Sequence, residues 1–254
     1  MTLAVFKVFR TVFEHWPPRS SPQKGQMAER GFPLVDPLED DPRVAFCRRL
    51  AMSQGPTKPS HDADHVARVV TLSRHIAASE GADQVLVACA AYLHDMERGR
   101  EDAGGEDHAV AGARMAREVL PESGLFSPED VETVAEAIAS HRFRSGPSPP
   151  TLEARCLHDA DKLDALGAVG VGRAYMMAGE HGQRLHSQVG TDARARHVGE
   201  IDHSRYSPVE EYTVKLRHLP ERMTTDEGKR LALRRARFMD SFFEELEAEV
   251  DGSR

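Results

Sequence analysis

Apolar positions recur at helical spacing along the chain from about residue 42 onward. The segment "DADHVARVVTLSRHIAASEG" ends at Gly81, a common helix terminator, and one face of it carries Val66, Val69, Val70, Ser73, Ile76 and Ala77. The next segment, "ADQVLVACAAYLHD", is apolar on every side, as expected of a helix at the centre of a bundle. Because no run alternates apolar and polar residues between turn signals, the sequence predicts an all-α fold.

Start and stop signals predict the remaining helices. "SPEDVETVAEAIASH" has a Ser cap followed by Pro, "TLEARCLHDADKLDALG" is capped by Thr151, and "SPVEEYTVKLRHL" opens with a Ser-x-x-Glu capping box. The other predicted helices are "VAFCRRLAM", "EDHAVAGARMAREVLP" with a stop at Pro121, and the long C-terminal "TDEGKRLALRRARFMDSFFEELEAEV". The apolar residues of this last helix favour a position in the core over one in a dimer interface, although a homodimer is left open. These residues are Phe238, Met239, Phe242, Phe243 and Leu246.

Residues 1–40 differ in character from the rest of the chain. The opening "MTLAVFKVFRTVFEHW" is interrupted by Lys7, Arg10 and Glu14, whereas a membrane span needs ~20 apolar residues. The following segment is rich in Pro, Ser, Gly and charge. We therefore expect residues 1–40 to be an N-terminal arm or linker, and residues 41–254 to be one domain. The arm is either flexible or a short docking helix, and a true start at Met27 is an alternative.

Charge and cysteine content narrow the function classes. A formal net charge of -8 over 254 residues argues against a nucleic-acid polymer or a membrane surface as partner, because both require a basic face. A small anionic substrate held by a metal and a few cations remains compatible. Cys47, Cys89 and Cys156 are too far apart in sequence for a disulfide framework or a CxxC site, so we expect reduced thiols and a cytoplasmic protein.

Imidazoles and carboxylates are distributed over separate predicted helices. One helix contains His65, the next ends on His94-Asp95, and the later ones contribute His108, His141, Asp159, Asp161 and Asp164. Metal sites in helical bundles are built from side chains on facing helices, and His with Asp suits Mn, Fe, Zn, Co or Mg. A lone His-Asp pair is equally compatible with helix capping or an ion pair. The ordered set, rather than any single residue, favours metal binding.

Four segments together resemble the HD-domain metal-dependent phosphohydrolase superfamily, in particular its small stand-alone bacterial members: "HDADHVARVV", "AAYLHDMERG", "DHAVAGARMA" and "HDADKLDALGAVGVGRA". The likeness extends over roughly residues 42 to 250. It implies that His65, His94, Asp95 and Asp161 bind a divalent metal. The choice of Asp161 over Asp159 or Asp164 rests on matching "ADKL" to the pattern of the family.

The same resemblance implies roles for two further histidines. His108, followed by Gly112-Ala113, and His141 stand where some HD proteins bind a second metal, and here they either do so or contact substrate. The segment "RFRSGPSPP" lacks the Gly-Tyr-Pro motif of the cyclic-di-GMP branch. Glu97-Arg98 replaces the Glu-Asp pair of the alarmone hydrolases, so neither branch is favoured.

The expected reaction is hydrolysis of a nucleotide by a metal-activated water, because a divalent ion neutralises phosphate charge and lowers the pKa of bound water. Asp95 is expected to bind the ion and help orient the water, and Glu97, on an exposed turn, is a candidate acid or base. Substrate contacts are expected from Arg68, His108, Arg142, Lys162 and His141. For Arg68, a salt bridge that orients a ligand is equally compatible.

The resemblance favours a (deoxy)nucleoside triphosphate pyrophosphohydrolase. A nucleotide phosphomonoesterase is the nearest alternative, and a di-iron oxygenase or a non-catalytic metal-binding module on the same scaffold stays open. Residues 180–206 show little periodicity and several Gly, His and Arg residues, so we expect this long loop to border the active site and contact substrate.

Overall fold

The computed structural model describes residues 40–53, 63–102, 104–142, 149–188 and 207–253. Within these ranges there is no β-strand, and the predicted all-α fold is confirmed. Residues 1–39 of the predicted arm lie outside the described residues, so the division at residue 40 stays a prediction. The helices are α1 (Pro42–Met52), α2 (Ala63–Glu80), α3 (Gln84–Leu93), α4 (Arg98–Asp102), α5 (His108–Glu122), α6 (Pro128–Ser140), α7 (Leu152–Leu163), α8 (Gly167–Glu180), α9 (Pro208–Val214), a 3-10 helix (Leu216–Arg222) and α10 (Asp226–Asp251).

Helix starts agree closely with the capping signals. Ser127 caps α6 in a reciprocal capping box with Asp130, and Pro128 occupies the first position. Thr151 caps α7 through the N–H of Ala154, and Ser207 caps α9 through that of Glu210. These side chains accept from N–H groups that have no partner inside the helix, so the local sequence alone sets where each helix begins.

Three features depart from the predicted helices. α5 continues through Pro121 to Glu122, one residue beyond the expected stop, which is within the usual uncertainty of a helix end. The predicted "SPVEEYTVKLRHL" helix divides at Lys215 into α9 and the 3-10 helix, and Pro220 within the 3-10 helix lacks the N–H that an α-helix would use. α4 and α8 were not predicted; α8 contains four glycines among its 14 residues, which disfavour a helix in isolation.

α3 is the central helix of the fold, as its uniformly apolar sequence predicted. Every residue from Leu86 to Leu93 is buried, and α1, α2, α6 and α7 pack around it. The three cysteines are buried free thiols. None of the helices in the described ranges has the length and apolar composition required to cross a bilayer. Because α3 is enclosed on all sides, the residues that follow it, His94 and Asp95, emerge inside the protein rather than at its surface.

A glycine allows α5 to approach the end of α3 closely. A Cβ at Gly112 would lie 3.1 Å from Ile138 Cγ2 and 3.8 Å from the His94 carbonyl oxygen. Gly112 lies four residues after His108, on the same face of α5. The close contact at Gly112 therefore places His108 over the carboxyl end of α3.

A buried carboxylate attaches the start of α10 to α7. Asp159 is fully buried, and its oxygens accept hydrogen bonds from the backbone N–H and the hydroxyl of both Thr224 and Thr225, at 2.6 to 3.0 Å. Burial acts to raise the pKa of Asp159, but hydrogen bonds from His158 and from Thr225 hold it below its usual value. A Cβ at Gly228 would lie 2.2 Å from Asp159 Oδ2, so this approach requires glycine.

Replacing Asp159 with Ala should therefore destabilise the fold. The substitution leaves buried N–H and hydroxyl groups of Thr224 and Thr225 without their acceptor, and we expect a loss of about 2–4 kcal/mol in the free energy of unfolding. Urea denaturation followed by circular dichroism measures it. Asp226→Ala is the matched control, because the Asp226 side chain is 95% exposed and its loss should cost roughly 0.5 kcal/mol. Equal losses in the two variants would contradict the anchoring role.

Candidate metal centre

Helix ends bring two overlapping groups of ligand atoms together. His65 near the start of α2, His94 after α3 and Asp161 in the last turn of α7 place one ligand atom each within 4.8 Å of one another, and so do His94, Asp95 and His141. His65 Nε2 lies 3.6 Å from Asp95 Oδ2 and 3.6 Å from Asp161 Oδ1. All four ligands implied by the resemblance therefore lie in one cluster, although they come from two helices and the turn that follows a third.

His65 is oriented by a carboxylate behind it. Its Nδ1 donates to Asp164 Oδ2 at 2.8 Å, so Nε2 carries the lone pair and faces Asp95 and Asp161. Asp164 is itself held by Arg68, through Nε at 2.7 Å and Nη2 at 3.0 Å, and by Arg173 at 2.9 Å. A carboxylate that receives the second N–H of a ligating imidazole fixes the tautomer and the ring orientation.

His94 and His141 are each oriented by a hydrogen bond to a backbone carbonyl of the preceding helix. Each is the residue that follows a helix, α3 or α6, and each Nδ1 lies 2.7 Å from the carbonyl oxygen three residues earlier, of Ala91 or Ile138. Since a carbonyl oxygen only accepts, Nδ1 is the protonated nitrogen and Nε2 is an acceptor. His94 Nε2 is buried, makes no hydrogen bond within the described residues, and lies 3.6 Å from Asp95 Oδ2. Two buried acceptors facing each other fit a cation bound by both.

The carboxylates of the cluster are held in their ionised form. Burial acts to raise the pKa of Asp95, but His94, His108 and His65 bring it well below its usual value. Burial acts in the same direction on Asp161, and His94 and His65 likewise lower its pKa. Burial lowers the pKa of His141 to about 3, with a further contribution from His94. Ionised carboxylates and neutral imidazole are the protonation states that bind metal.

The carboxylates around His65 favour positive charge at this position. Burial acts to lower the pKa of His65, but hydrogen bonds to Asp164 and Asp95 overcome it and raise the pKa to about 9. A divalent ion bound at Nε2 would supply that positive charge, with His65 as a neutral imidazole.

The three carboxylates of "HDADKLD", among which the sequence left the choice of metal ligand least certain, have separate surroundings. Asp159 faces Thr224 and Thr225, and Asp164 lies behind His65. Only Asp161 lies among the ligand atoms, with a side chain that is 26% exposed.

His108 lies between two carboxylates. Its Nε2 is 3.0 Å from Asp95 Oδ1 and 3.3 Å from His141 Nε2, and its Nδ1 contacts the carboxylate of Glu101. Burial acts to lower the pKa of His108, but Asp95 and Glu101 raise it. Of the two roles considered for His108, an acceptor on each side favours a cationic donor over a second-metal ligand.

Glu101, which no motif of the sequence singled out, connects His108 to Arg142. Arg142 donates to both Glu101 and Asp107. Burial acts to raise the pKa of Glu101, but His108 and Arg142 lower it to about 2. Glu101 therefore stays ionised and holds two candidate substrate contacts in place.

Two of the expected site residues, Glu97 and Arg68, have surroundings that the sequence did not fully predict. Glu97 was expected on an exposed turn, which is wrong: the residue lies in the turn between α3 and α4 but is only 8% exposed. Arg68 forms the salt bridge to Asp164, the alternative that the sequence left open. Residues 189–206 of the predicted binding loop lie outside the described residues, and that prediction stays a prediction.

A cationic pocket of about 230 Å³ adjoins the cluster at Asp161. Lys162 and Arg142 line it as the sequence anticipated, and Lys162 Nζ donates to the carbonyl of His141 at 3.0 Å. Four further cations complete the set and were not anticipated, because they are spread over distant parts of the sequence: Arg98 of α4, Arg173 of α8, Lys215 between α9 and the 3-10 helix, and Arg222 of the 3-10 helix. Arg98 lies 3.7 Å from Asp95, and Arg173 is the residue that also holds Asp164.

Comparison with known proteins identifies the family. Residues 62–166 match the HD domain family. Bacillus subtilis YpgQ is 31% identical over 196 residues, which cover 76% of this chain and 85% of YpgQ. The crystal structure of YpgQ in complex with ADP superposes with a TM-score of 0.61 at 29% identity, covering 82% of this chain and 98% of the other.

A second solved structure gives the same result. The crystal structure of a predicted HD superfamily hydrolase from an uncultured Thermotogales bacterium has a TM-score of 0.56 and 29% identity, over 81% of this chain and 90% of that one. The motifs seen in the sequence, the helical architecture and both relatives agree. The chain belongs to the HD domain superfamily.

Proposed function

We propose that this protein is a divalent-metal-dependent hydrolase of (deoxy)nucleoside triphosphates that releases pyrophosphate. The observation that carries the proposal is the pocket beside the His/Asp cluster. It collects six cations in a chain whose net charge is -8: Arg98, Arg142, Lys162, Arg173, Lys215 and Arg222. Such a concentration of positive charge next to a metal-binding cluster suits a polyphosphate.

His65, His94, Asp95 and Asp161 would hold the ion. Imidazole nitrogen with carboxylate oxygen suits Mn, Fe, Co, Zn or Mg, and the absence of a thiolate in the cluster disfavours a structural zinc site. When bound, the ion supplies Lewis acidity that neutralises phosphate charge and lowers the pKa of a water. His141, which shares His94 and Asp95 in the second group of ligand atoms, marks where a second ion would bind.

The protein itself supplies positioning and fixed charge. Asp95 extends one carboxylate oxygen toward His65 and the other toward His108, so a single side chain connects the metal ligands to a cationic donor. Lys162 and Arg142 are held at the pocket by His141 and Glu101, respectively. Donors that are oriented before the substrate arrives stabilise developing phosphate charge without reorganisation.

A relative supports the nucleotide as substrate. YpgQ, which this chain covers over almost its whole length, has been crystallised with ADP. A triphosphate presents more anionic oxygens than a monophosphate and so engages more of the six cations. These considerations favour triphosphate hydrolysis over the removal of phosphate from a nucleoside monophosphate.

The proposal predicts manganese-dependent release of pyrophosphate from one or more members of a panel of ribo- and deoxyribonucleoside triphosphates. Dialysis against EDTA should lower kcat/KM by roughly two orders of magnitude or more, and added Mn(II) should restore it. Ion chromatography of the products separates pyrophosphate from phosphate. Phosphate released from monophosphates would instead establish the phosphomonoesterase, and no metal-dependent turnover of any nucleotide would refute hydrolysis.

Asp164 should control metal affinity without binding the metal. Asp164→Asn keeps the size of the side chain but removes the charge that orients His65, and we expect Mn(II) affinity to fall about 10- to 100-fold. Titration of free Mn(II) by electron paramagnetic resonance measures this without reference to turnover. Asp226→Asn, which neutralises an exposed carboxylate, should leave the affinity unchanged. An unaltered dissociation constant in Asp164→Asn would exclude the orienting role.

A further inference from the structure

We propose that the nucleoside part of the substrate binds against an apolar wall of the same pocket. This apolar wall consists of Ala174 and Met177 of α8 with Leu216 and Leu219 of the 3-10 helix. The inference rests on the proposed function and extends it, because it assigns the two chemically different parts of a nucleotide to different residues. The planar, weakly polar base packs against the wall, and the phosphates bind to the cations.

The wall is a consequence of helical geometry. Gly170, Ala174 and Met177 line the pocket at spacings of four and three residues, which place them on one face of α8. At a rise of ~1.5 Å per residue, that face extends roughly 10 Å from Gly170 to Met177. Leu216 and Leu219 lie three residues apart, the spacing at which side chains eclipse in a 3-10 helix. Two helices thus present apolar side chains to the same space.

The phosphate end of the pocket is fixed by contacts to the metal cluster. Arg98 lies 3.7 Å from Asp95, Lys162 donates to His141, and Arg142 contacts the ring of His108 at 3.3 Å. These cations therefore adjoin the ligand atoms where the phosphate must react. The apolar wall offers no donor to replace phosphate hydration, so placing a phosphate there would be unfavourable. A base gains from burying its faces against apolar side chains.

A carboxylate in the pocket supports the same orientation. Glu211 of α9 lines the pocket and receives a hydrogen bond from Lys215 Nζ at 2.7 Å. An ionised carboxylate repels phosphate but accepts hydrogen bonds from a sugar hydroxyl or from the exocyclic amino group of a base. Glu211 lies one helical turn before Lys215, whose charge it compensates, and Lys215 is followed directly by Leu216 of the wall, so we assign Glu211 to the nucleoside end.

Ala174 is the position at which to test the wall. Gly170 is unsuitable, because a Cβ there would lie 2.2 Å from the carbonyl oxygen of Ala165 and would disturb the packing of α8. Ala174→Leu instead adds apolar volume at the pocket-facing position. Gly172→Leu is the matched control on the same helix, since a Cβ at Gly172 has no heavy atom within 4 Å.

The experiment compares a nucleotide with its phosphate part alone. For each variant, KM is measured for the nucleoside triphosphate that the wild type hydrolyses, together with Ki for inorganic tripolyphosphate, both with Mn(II). Ala174→Leu should raise KM about tenfold or more by obstructing the base, with Ki for tripolyphosphate changed less than about twofold. Gly172→Leu should change neither constant. Met177→Ser, at a residue that is 38% exposed and so tolerant of substitution, should raise KM about threefold in the same selective way.

Two results would overturn the inference. If KM and Ki rose together, the apolar wall would support the phosphate end or the fold rather than the nucleoside. If neither constant changed in Ala174→Leu and Met177→Ser, the nucleoside would bind elsewhere.

Equilibrium dialysis with a non-hydrolysable α,β-methylene triphosphate distinguishes this inference from the proposed function. Weaker binding of this analogue to Ala174→Leu than to the wild type supports the apolar wall. If the wild type nevertheless hydrolyses no triphosphate, only the proposed activity is refuted. Unchanged binding in an active enzyme refutes only the wall.

Discussion

Two ionised carboxylates and the acceptor nitrogens of several imidazoles converge in the interior of this protein, and a bound cation is what would compensate them. The convergence follows from the burial of α3, which is enclosed by four other helices and therefore delivers His94 and Asp95 inside the fold. Asp161 reaches the same place from α7. Such a concentration of acceptors is costly without a positive charge among them, so a cation bound at the candidate metal centre would stabilise the arrangement.

Around this centre, each side chain is oriented by a partner further out. Asp164 fixes His65, backbone carbonyls fix His94 and His141, and Glu101 fixes His108. Arg173 takes part in two sets of contacts, because it both holds Asp164 and lines the pocket. The candidate metal centre and the cationic pocket therefore share Arg173 as a supporting residue, and a substitution in one is expected to affect the other.

The sequence predicted what local signals determine. Capping residues such as Ser127 and Thr151 set helix starts, the apolar run before His94 identified the central helix, and the ordered motifs indicated the residues that lie in the cluster. It did not predict α8, because the four glycines of this helix disfavour helix formation in isolation. Nor did it predict the burial of Glu97 or the contribution of Arg173, Lys215 and Arg222, since these depend on elements that are distant in sequence.

The most direct test of the account is an anomalous difference map from crystals of the protein soaked in Mn(II). The account predicts a strong peak within coordination distance of His65 Nε2, His94 Nε2 and the carboxylates of Asp95 and Asp161. A map with no peak among these four side chains, from crystals of protein that retains its activity, would contradict it.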